Sequence, residues 1–139
     1  MNIDSIGKGI VIDHITAGNA MKIYSSLGLE HIDASVAIIM KVKSKKQGVK
    51  DIIKIDREVA INLDVVGFID PNVTVSIIEN GVPVEKKKLK LPKKITNIVK
   101  CNNPRCITSV DDTIDQVFVL TNEDDATYRC VYCDVKNKR

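Results

Sequence analysis

Four cysteines carry the sharpest chemistry in the chain, because Cys101, Cys106, Cys130 and Cys133 all fall in the last third of its 139 residues, spaced C-x4-C and C-x2-C. Two close pairs converging from two turns bring four soft thiolates to the corners of a tetrahedron, which suits structural zinc. Asn102, Asn103, Pro104 and Arg105 supply turn chemistry for the first knuckle, and Val131 and Tyr132 close the second. Four thiolate ligands leave no open position for a substrate, so one zinc per chain is expected in a structural role. Iron in a rubredoxin-like site is the alternative occupant, less favoured because such sites commonly use two x2 pairs. Disulfides are disfavoured because the N-terminus lacks the charged-then-apolar layout of a secretory signal, which points to a reducing compartment. A segment of ~45 residues buries too little apolar surface to fold alone, so the metal would contribute much of its folding free energy.

A second set of residues suits an anion. Asp13, His14, Lys54 and Lys86 lie in three separate strand-like segments that could be neighbours in one sheet. Lysine is a compact point charge suited to phosphate, and an aspartate beside it can accept from ribose hydroxyls. On the last of these segments, Lys86, Lys88 and Lys90 share one face by the period of two, leaving Lys87 opposite. The competing reading is a solvated sheet with surface lysines and an incidental histidine. Asp13 and His14 are adjacent, so they point to opposite faces unless the strand bends or ends there. His31 is assigned no role. The 21 basic and 18 acidic residues give a net charge of only +3, and aromatics make up 4% of the chain, so a nucleic-acid partner is not demanded.

The elements that must position these groups follow from hydrophobic periodicity. Gly9 to Ile15 reads as a half-buried strand, followed by a helix capped by Thr16 that runs through Ala17, Ala20, Met21, Tyr24 and Leu27 to Gly28. Ala34 to Ser44 alternates as a strand, Lys45 to Val49 is a loop, and Asp51 to Asp56 is a short strand. A second helical stripe, Val59, Leu63 and Val66, closes at Asp70-Pro71-Asn72, although Gly67 weakens it. Val73 to Ile77, the Asn80-Gly81 turn signal and Val84 to Leu91 make a hairpin. The order β-α-β-β-α-β plus one strand is the split βαβ arrangement, so the fold is α+β: a ferredoxin-like N-terminal domain, an antiparallel sheet with two helices, followed by a small β-rich zinc ribbon built on the four cysteines. Pro92 marks the boundary, giving domains 1–92 and 93–139. Tyr24, Tyr128, Tyr132, Phe68 and Phe118 are expected in the cores. The length excludes a large multi-domain catalyst, and no run reaches the ~18 apolar residues of a membrane span. A cytoplasmic protein without a membrane partner is expected.

At this point the residues resemble the regulatory chain of aspartate carbamoyltransferase. The matching signatures are VIDHI (Val11 to Ile15), KDIIKI (Lys50 to Ile55), the LP followed by I-x-N-x-V-x-C (Leu91 to Cys101), and the C-x4-C-I and C-x-Y-C knuckles, together covering nearly the whole chain in order. The resemblance implies a non-catalytic subunit, working as a homodimer, whose N-terminal domain binds CTP or ATP and whose zinc domain docks on trimers of the catalytic chain. It implies that Asp13 and Lys54 form the ribose and base side of the site and that His14 and Lys86 form the phosphate side. Ile6 resembles the position whose backbone recognises the amino group of the base, with Asp4 and Val11 close by, and Lys50 resembles a second basic residue near the phosphates. Ser76, Gly81 and Pro83 stand where well-studied members carry asparagine, tyrosine and valine. The leader before the first strand is shorter than theirs, which bears on a second, cooperating nucleotide. Arg105 replaces a polar amide of the first knuckle, whereas Asn103 matches. The alternative class is a zinc-ribbon nucleic-acid-binding protein, which the acidic Asp111, Asp112, Asp115, Glu123, Asp124 and Asp125 of the insert oppose.

Overall fold

β-Branched runs become strands, and apolar stripes become helices only where a sheet face covers them. The computed structural model describes residues 7–137. The chain divides between Lys90 and Leu91 into two compact units. The first contains β1 (Gly9–Thr16), α1 (Ala20–Ser26), a 3-10 turn (Leu29–His31), β2 (Val36–Ser44), β3 (Gly48–Ile55), α2 (Leu63–Ile69), β4 (Thr74–Glu79) and β5 (Val82–Lys88). Its sheet has the order β2-β3-β1-β4-β5, with every neighbouring pair antiparallel. The first four of these strands have the ferredoxin-like order and β5 extends one edge.

Ile10, Ile12 and Ile15 on β1, Ile53 and Ile55 on β3 and Val75 on β4 form one core with Ala20, Ile23, Leu29, Val66 and Val73. The helix-facing residues recur at the strand period except between Ile12 and Ile15, and the opposite face of the sheet is free to carry polar groups. Gly9 is required there, because a Cβ would sit 2.0 Å from the Ile55 carbonyl oxygen.

The helices start later than periodicity predicts. Thr16 remains in β1 and Gly18 takes φ +100°, so α1 begins at Ala20 after Asn19 rather than being capped by Thr16. Val59 lies outside α2, whose start is fixed by Asn62, its side chain accepting from the N–H groups of Asp64 and Val65. Gly67 does not break α2, because the surrounding Val65, Val66 and Phe68 are buried and tertiary packing outweighs its low propensity. Gly28 takes the left-handed conformation at φ 65°. Asn80 and Gly81 both have positive φ, as the two-residue hairpin turn requires. The following strand ends at Lys88 rather than Leu91, so Lys90 lies beyond it and does not join Lys86 and Lys88 on its face.

The second unit contains β6 (Lys94–Thr96), α3 (Ile107–Val110), β7 (Val117–Asn122) and β8 (Thr127–Cys130), its sheet ordered β6-β7-β8 and antiparallel. Ile95, Phe118 and Tyr128 are its large buried apolar side chains, with the Tyr128 hydroxyl donating to the Pro92 carbonyl at 2.5 Å. Tyr132 does not join this core and is 50% exposed, because the tight turn between two cysteines points it outward. Among the described residues, no helix is long and apolar enough to cross a membrane.

Candidate metal centre and anion-binding face

The first knuckle hangs between β6 and α3, and the second follows directly from β8. Cys106 is the residue before α3, its N–H donating to the Asn103 carbonyl at 3.0 Å, and the Asn103 side chain accepts from the Arg105 N–H at 3.1 Å. Cys130 ends β8, and the chain turns back through Asp134 at φ 65°. This turn brings all four sulfurs within 4.8 Å of one another. Cys101 Sγ lies 3.5 Å from Cys133 Sγ, and Cys106 Sγ lies 3.7 Å from Cys130 Sγ. Four sulfurs about 2.3 Å from one central ion sit about 3.8 Å apart in a tetrahedron, so the cluster already has the dimensions of a metal cage.

The electrostatics agree with that fit. Four thiols this close cannot all ionise without a cation between them. Burial pushes the Cys101 thiol up to about 12, and burial likewise raises that of Cys130. Cys106 is drawn down to about 7, chiefly by its hydrogen bond to the Thr108 hydroxyl. Burial pushes Cys133 up, but the Asn103 side chain, the Val135 N–H and the neighbouring thiols outweigh it and leave the group lowered. A divalent cation would remove the repulsion that forces the four groups apart in acidity.

The anion candidates gather on the sheet face opposite the helices. Lys54, Val11, Ser76 and Lys86 are successive cross-strand partners from β3 through β1 and β4 to β5, and directly opposed residues share a face. Three interstrand spacings separate the two lysines, roughly 14 Å between backbones. The neighbouring row carries Asp13, Thr74 and Lys88.

His14 would face away from this row in a regular strand, and a β-bulge prevents that. Ile12 opposes Ile53 and Ile15 opposes Asp51, so β1 takes three steps where β3 takes two, with His14 at φ 59°. Ile12 and Ile15 are therefore both buried on the helix side, and Asp13 and His14 both leave the core. The expected opposition of these two neighbours is corrected by one inserted residue. Asp13 Oδ1 accepts from Lys50 Nζ at 3.0 Å and from the His14 N–H at 2.6 Å, while His14 Nδ1 is buried with no partner among the described residues. Asp4 and Ile6, the remaining candidates, lie outside the described residues.

Burial alone would raise the Asp13 carboxyl, but the Lys50 ammonium and the His14 N–H hold it below its ordinary 3.8. A depressed carboxylate adds stability above its unfolded value, and this is lost as pH falls through the lower folded value. In Lys50→Met, with burial less opposed, the Asp13 carboxyl should titrate at higher pH by carbon-detected NMR. An unchanged titration would deny the pair its effect.

Two buried acids carry a role that the sequence pattern does not give them, although Asp51 stands in KDIIKI and Asp70 in the Asp70-Pro71-Asn72 stop. Asp51 is fully buried and accepts from the N–H groups of Gly18 at 3.0 Å, Ala20 at 3.3 Å and Lys41 at 3.0 Å. Lys41, at φ 59°, sits in a matching bulge of β2, so one carboxylate ties that bulge to the start of α1. Asp70 accepts from the Thr16 N–H at 2.6 Å, from Asn19 Nδ2 at 3.3 Å and from the Asn72 N–H at 3.1 Å. The one sequence signal for them is an aspartate at a core-facing position of the Asp51 strand, a charge that burial permits only when it is hydrogen-bonded.

Comparison with known proteins matches both units. The family model of the aspartate carbamoyltransferase regulatory chain, allosteric domain, covers residues 1–90, and that of the same chain's metal binding domain covers residues 93–139. The aspartate carbamoyltransferase regulatory chain of Clostridium botulinum strain Hall is 53% identical over 134 residues, 96% of this chain and 92% of the relative. That of Clostridium acetobutylicum is 49% identical over 134 residues, with the same shares of 96% and 92%. The Bifidobacterium longum chain is 41% identical over 138 residues, 99% of each.

Proposed function

The chain belongs to the family of aspartate carbamoyltransferase regulatory chains, non-catalytic subunits with an allosteric and a metal-binding domain, and from that premise we propose that it carries nucleotide signals to catalytic trimers. Residues 1–92 bind CTP or ATP, and residues 93–139 bind zinc and dock on the catalytic chain. The regulatory chain works as a cytoplasmic homodimer within the assembly, in the first committed step of pyrimidine synthesis.

The observation that carries the nucleotide reading is the β1 bulge, which turns Asp13 and His14 to the same side as Lys50 and beside the row Lys54, Val11, Ser76 and Lys86. A face with an aspartate near its centre and separated cations fits an elongated ligand whose sugar hydroxyls and phosphates need different partners. Asp13 and Lys54 take the ribose and base, His14 and Lys86 take the phosphates, and Lys50 adds charge beside them. Ile6, Asp4 and Val11 complete the base side. Ser76 stands between Val11 and Lys86, so the departure from the family's asparagine falls at the centre of the face, where it bears on effector preference.

Zinc suits four thiolates without an open position. Ile107, Val110, Val131 and Tyr132 are exposed apolar residues beside the knuckles, and a metal-held surface of this kind suits an interface that must transmit movement. Removal of residues 93–139 should therefore abolish assembly with catalytic trimers, measured by sedimentation, while calorimetric nucleotide binding persists. A truncated chain that still assembled would refute this division of labour.

A further inference from the structure

The hydrogen bonds around the sulfur cluster are not alike. Backbone N–H groups reach Cys101 from Asn103, Cys130 from Tyr132 and Cys133, and Cys133 from Val135, the usual wrapping of a knuckle, and the Asn103 side-chain amide also reaches Cys133. Cys106 has a side-chain hydroxyl as well, with Thr108 Oγ1 lying 3.1 Å from its Sγ. Both residues are almost fully buried, Cys106 at 2% and Thr108 at 3% exposure. Water therefore cannot replace the hydroxyl if it is lost.

Thr108 is itself held. Gln116, just ahead of β7, spans the two arms of the first knuckle: its Oε1 accepts from the Cys101 N–H at 3.0 Å and its Nε2 donates to the Thr108 carbonyl at 3.3 Å. The Gln116 N–H donates to Asn97 Oδ1 at 2.8 Å, which fixes the segment carrying that side chain. One amide thus locks the backbone on either side of the first pair of ligands. The chemistry of the contact follows from occupancy, because a metal-bound thiolate has no proton and the hydroxyl must then be the donor.

We propose that Thr108, held by Gln116, is a positioning residue of the metal centre whose hydroxyl donates to the Cys106 thiolate, orients it and slows metal loss from the first knuckle. This rests on the reading of the four cysteines as a metal site. A hydrogen bond to a thiolate draws electron density from sulfur, so its removal changes the colour of a bound transition ion as well as its retention. Partners of this kind are typically worth about 10-fold to 100-fold in metal affinity.

The test uses the full chain loaded with Co2+, which reports thiolate coordination by its charge-transfer band, in wild type, Thr108→Val and Thr108→Ser. Valine keeps the branched shape without the hydroxyl, and serine keeps the hydroxyl without the methyl. Expected are about 10-fold faster release of Co2+ to a chelator and a charge-transfer band moved to lower energy in Thr108→Val. Thr108→Ser should stay close to wild type in both. If Thr108→Val takes up no Co2+ while Thr108→Ser does, the hydroxyl is required and the proposal stands. Equal release rates and spectra in wild type and Thr108→Val overturn it, as does a serine variant as impaired as the valine one. A wild-type chain showing no thiolate-bound Co2+ would overturn the metal reading itself, a result distinct from variants that match a loaded wild type.

Discussion

Cys130→Ala should yield a chain whose second unit is unfolded and metal-free while the first keeps its sheet. Cys130 is buried at the end of β8, where the turn returns the chain so that the Cys130 N–H donates to the Val135 carbonyl and the Asp134 N–H to the Cys130 carbonyl. Losing its sulfur leaves three ligands and removes the centre toward which both knuckles fold. The other large buried groups, Ile95, Phe118 and Tyr128, are too few to hold three short strands. Structural zinc in small domains contributes roughly 10–16 kcal/mol of apparent binding energy near neutral pH, against a total stability of about 5–15 kcal/mol for an ordinary domain. Loss of the site therefore exceeds the margin, and removal of the ion from wild type by a chelator should do the same. Elemental analysis and amide dispersion of residues 93–137 are the measurements. A dispersed, metal-free second unit would show that its core suffices alone, and stoichiometric iron in native protein would replace zinc as the occupant.

Lys54→Ala and Lys86→Ala regulatory chains should assemble normally, retain their metal and lose the response to CTP and ATP at ordinary nucleotide concentrations. Lys86 lies on an exposed strand at the edge of the sheet and Lys54 is half-buried on the face away from the helices, so neither belongs to the isoleucine core. A charge-assisted contact to phosphate or base contributes about 1.5–3 kcal/mol, or roughly 10-fold to 150-fold in affinity. Lys86→Ala should weaken triphosphates more than nucleosides, because its contact is to phosphate. Allosteric response requires unequal binding to two states, so saturating nucleotide should restore the maximal response if a lysine holds the ligand equally in both. Calorimetric titration of the isolated regulatory chain and activity of the reconstituted complex, each with and without nucleotide, decide the matter. Unchanged affinity in both variants would remove the proposed site and leave the family relationship intact.

The features legible in the sequence were those written in local pattern. The β-branched Gly9 to Ile15 run, the Asn80-Gly81 turn and the left-handed Gly28 each specify their conformation through strand propensity or short-range sterics. The cysteine spacing specifies a metal cage because two tight turns can present four sulfurs in only a few ways. Helix starts were less legible, since Thr16 and Asn19 are both acceptable caps. The choice between them fell to Asp70, which accepts from the Thr16 N–H, and Asp51, which accepts from those of Gly18 and Ala20, both from far along the chain.

By itself the sequence determined the order of strands and helices in the first unit, the two-part division of the chain and the four cysteines that folding gathers into one cluster. Tertiary structure alone decided that Asp13 and His14 both leave the core, between the buried Ile12 and Ile15. A bulge is a mismatch between two strands, three steps on β1 against two on β3, and the register that creates it exists only once Ile12 opposes Ile53 and Ile15 opposes Asp51. The same holds for Thr108 and Gln116. Nothing in their local pattern distinguishes them from turn residues until folding sets one hydroxyl against the buried Cys106 sulfur and one amide across the knuckle, because hydrogen bonds between distant segments depend on where the backbone brings them.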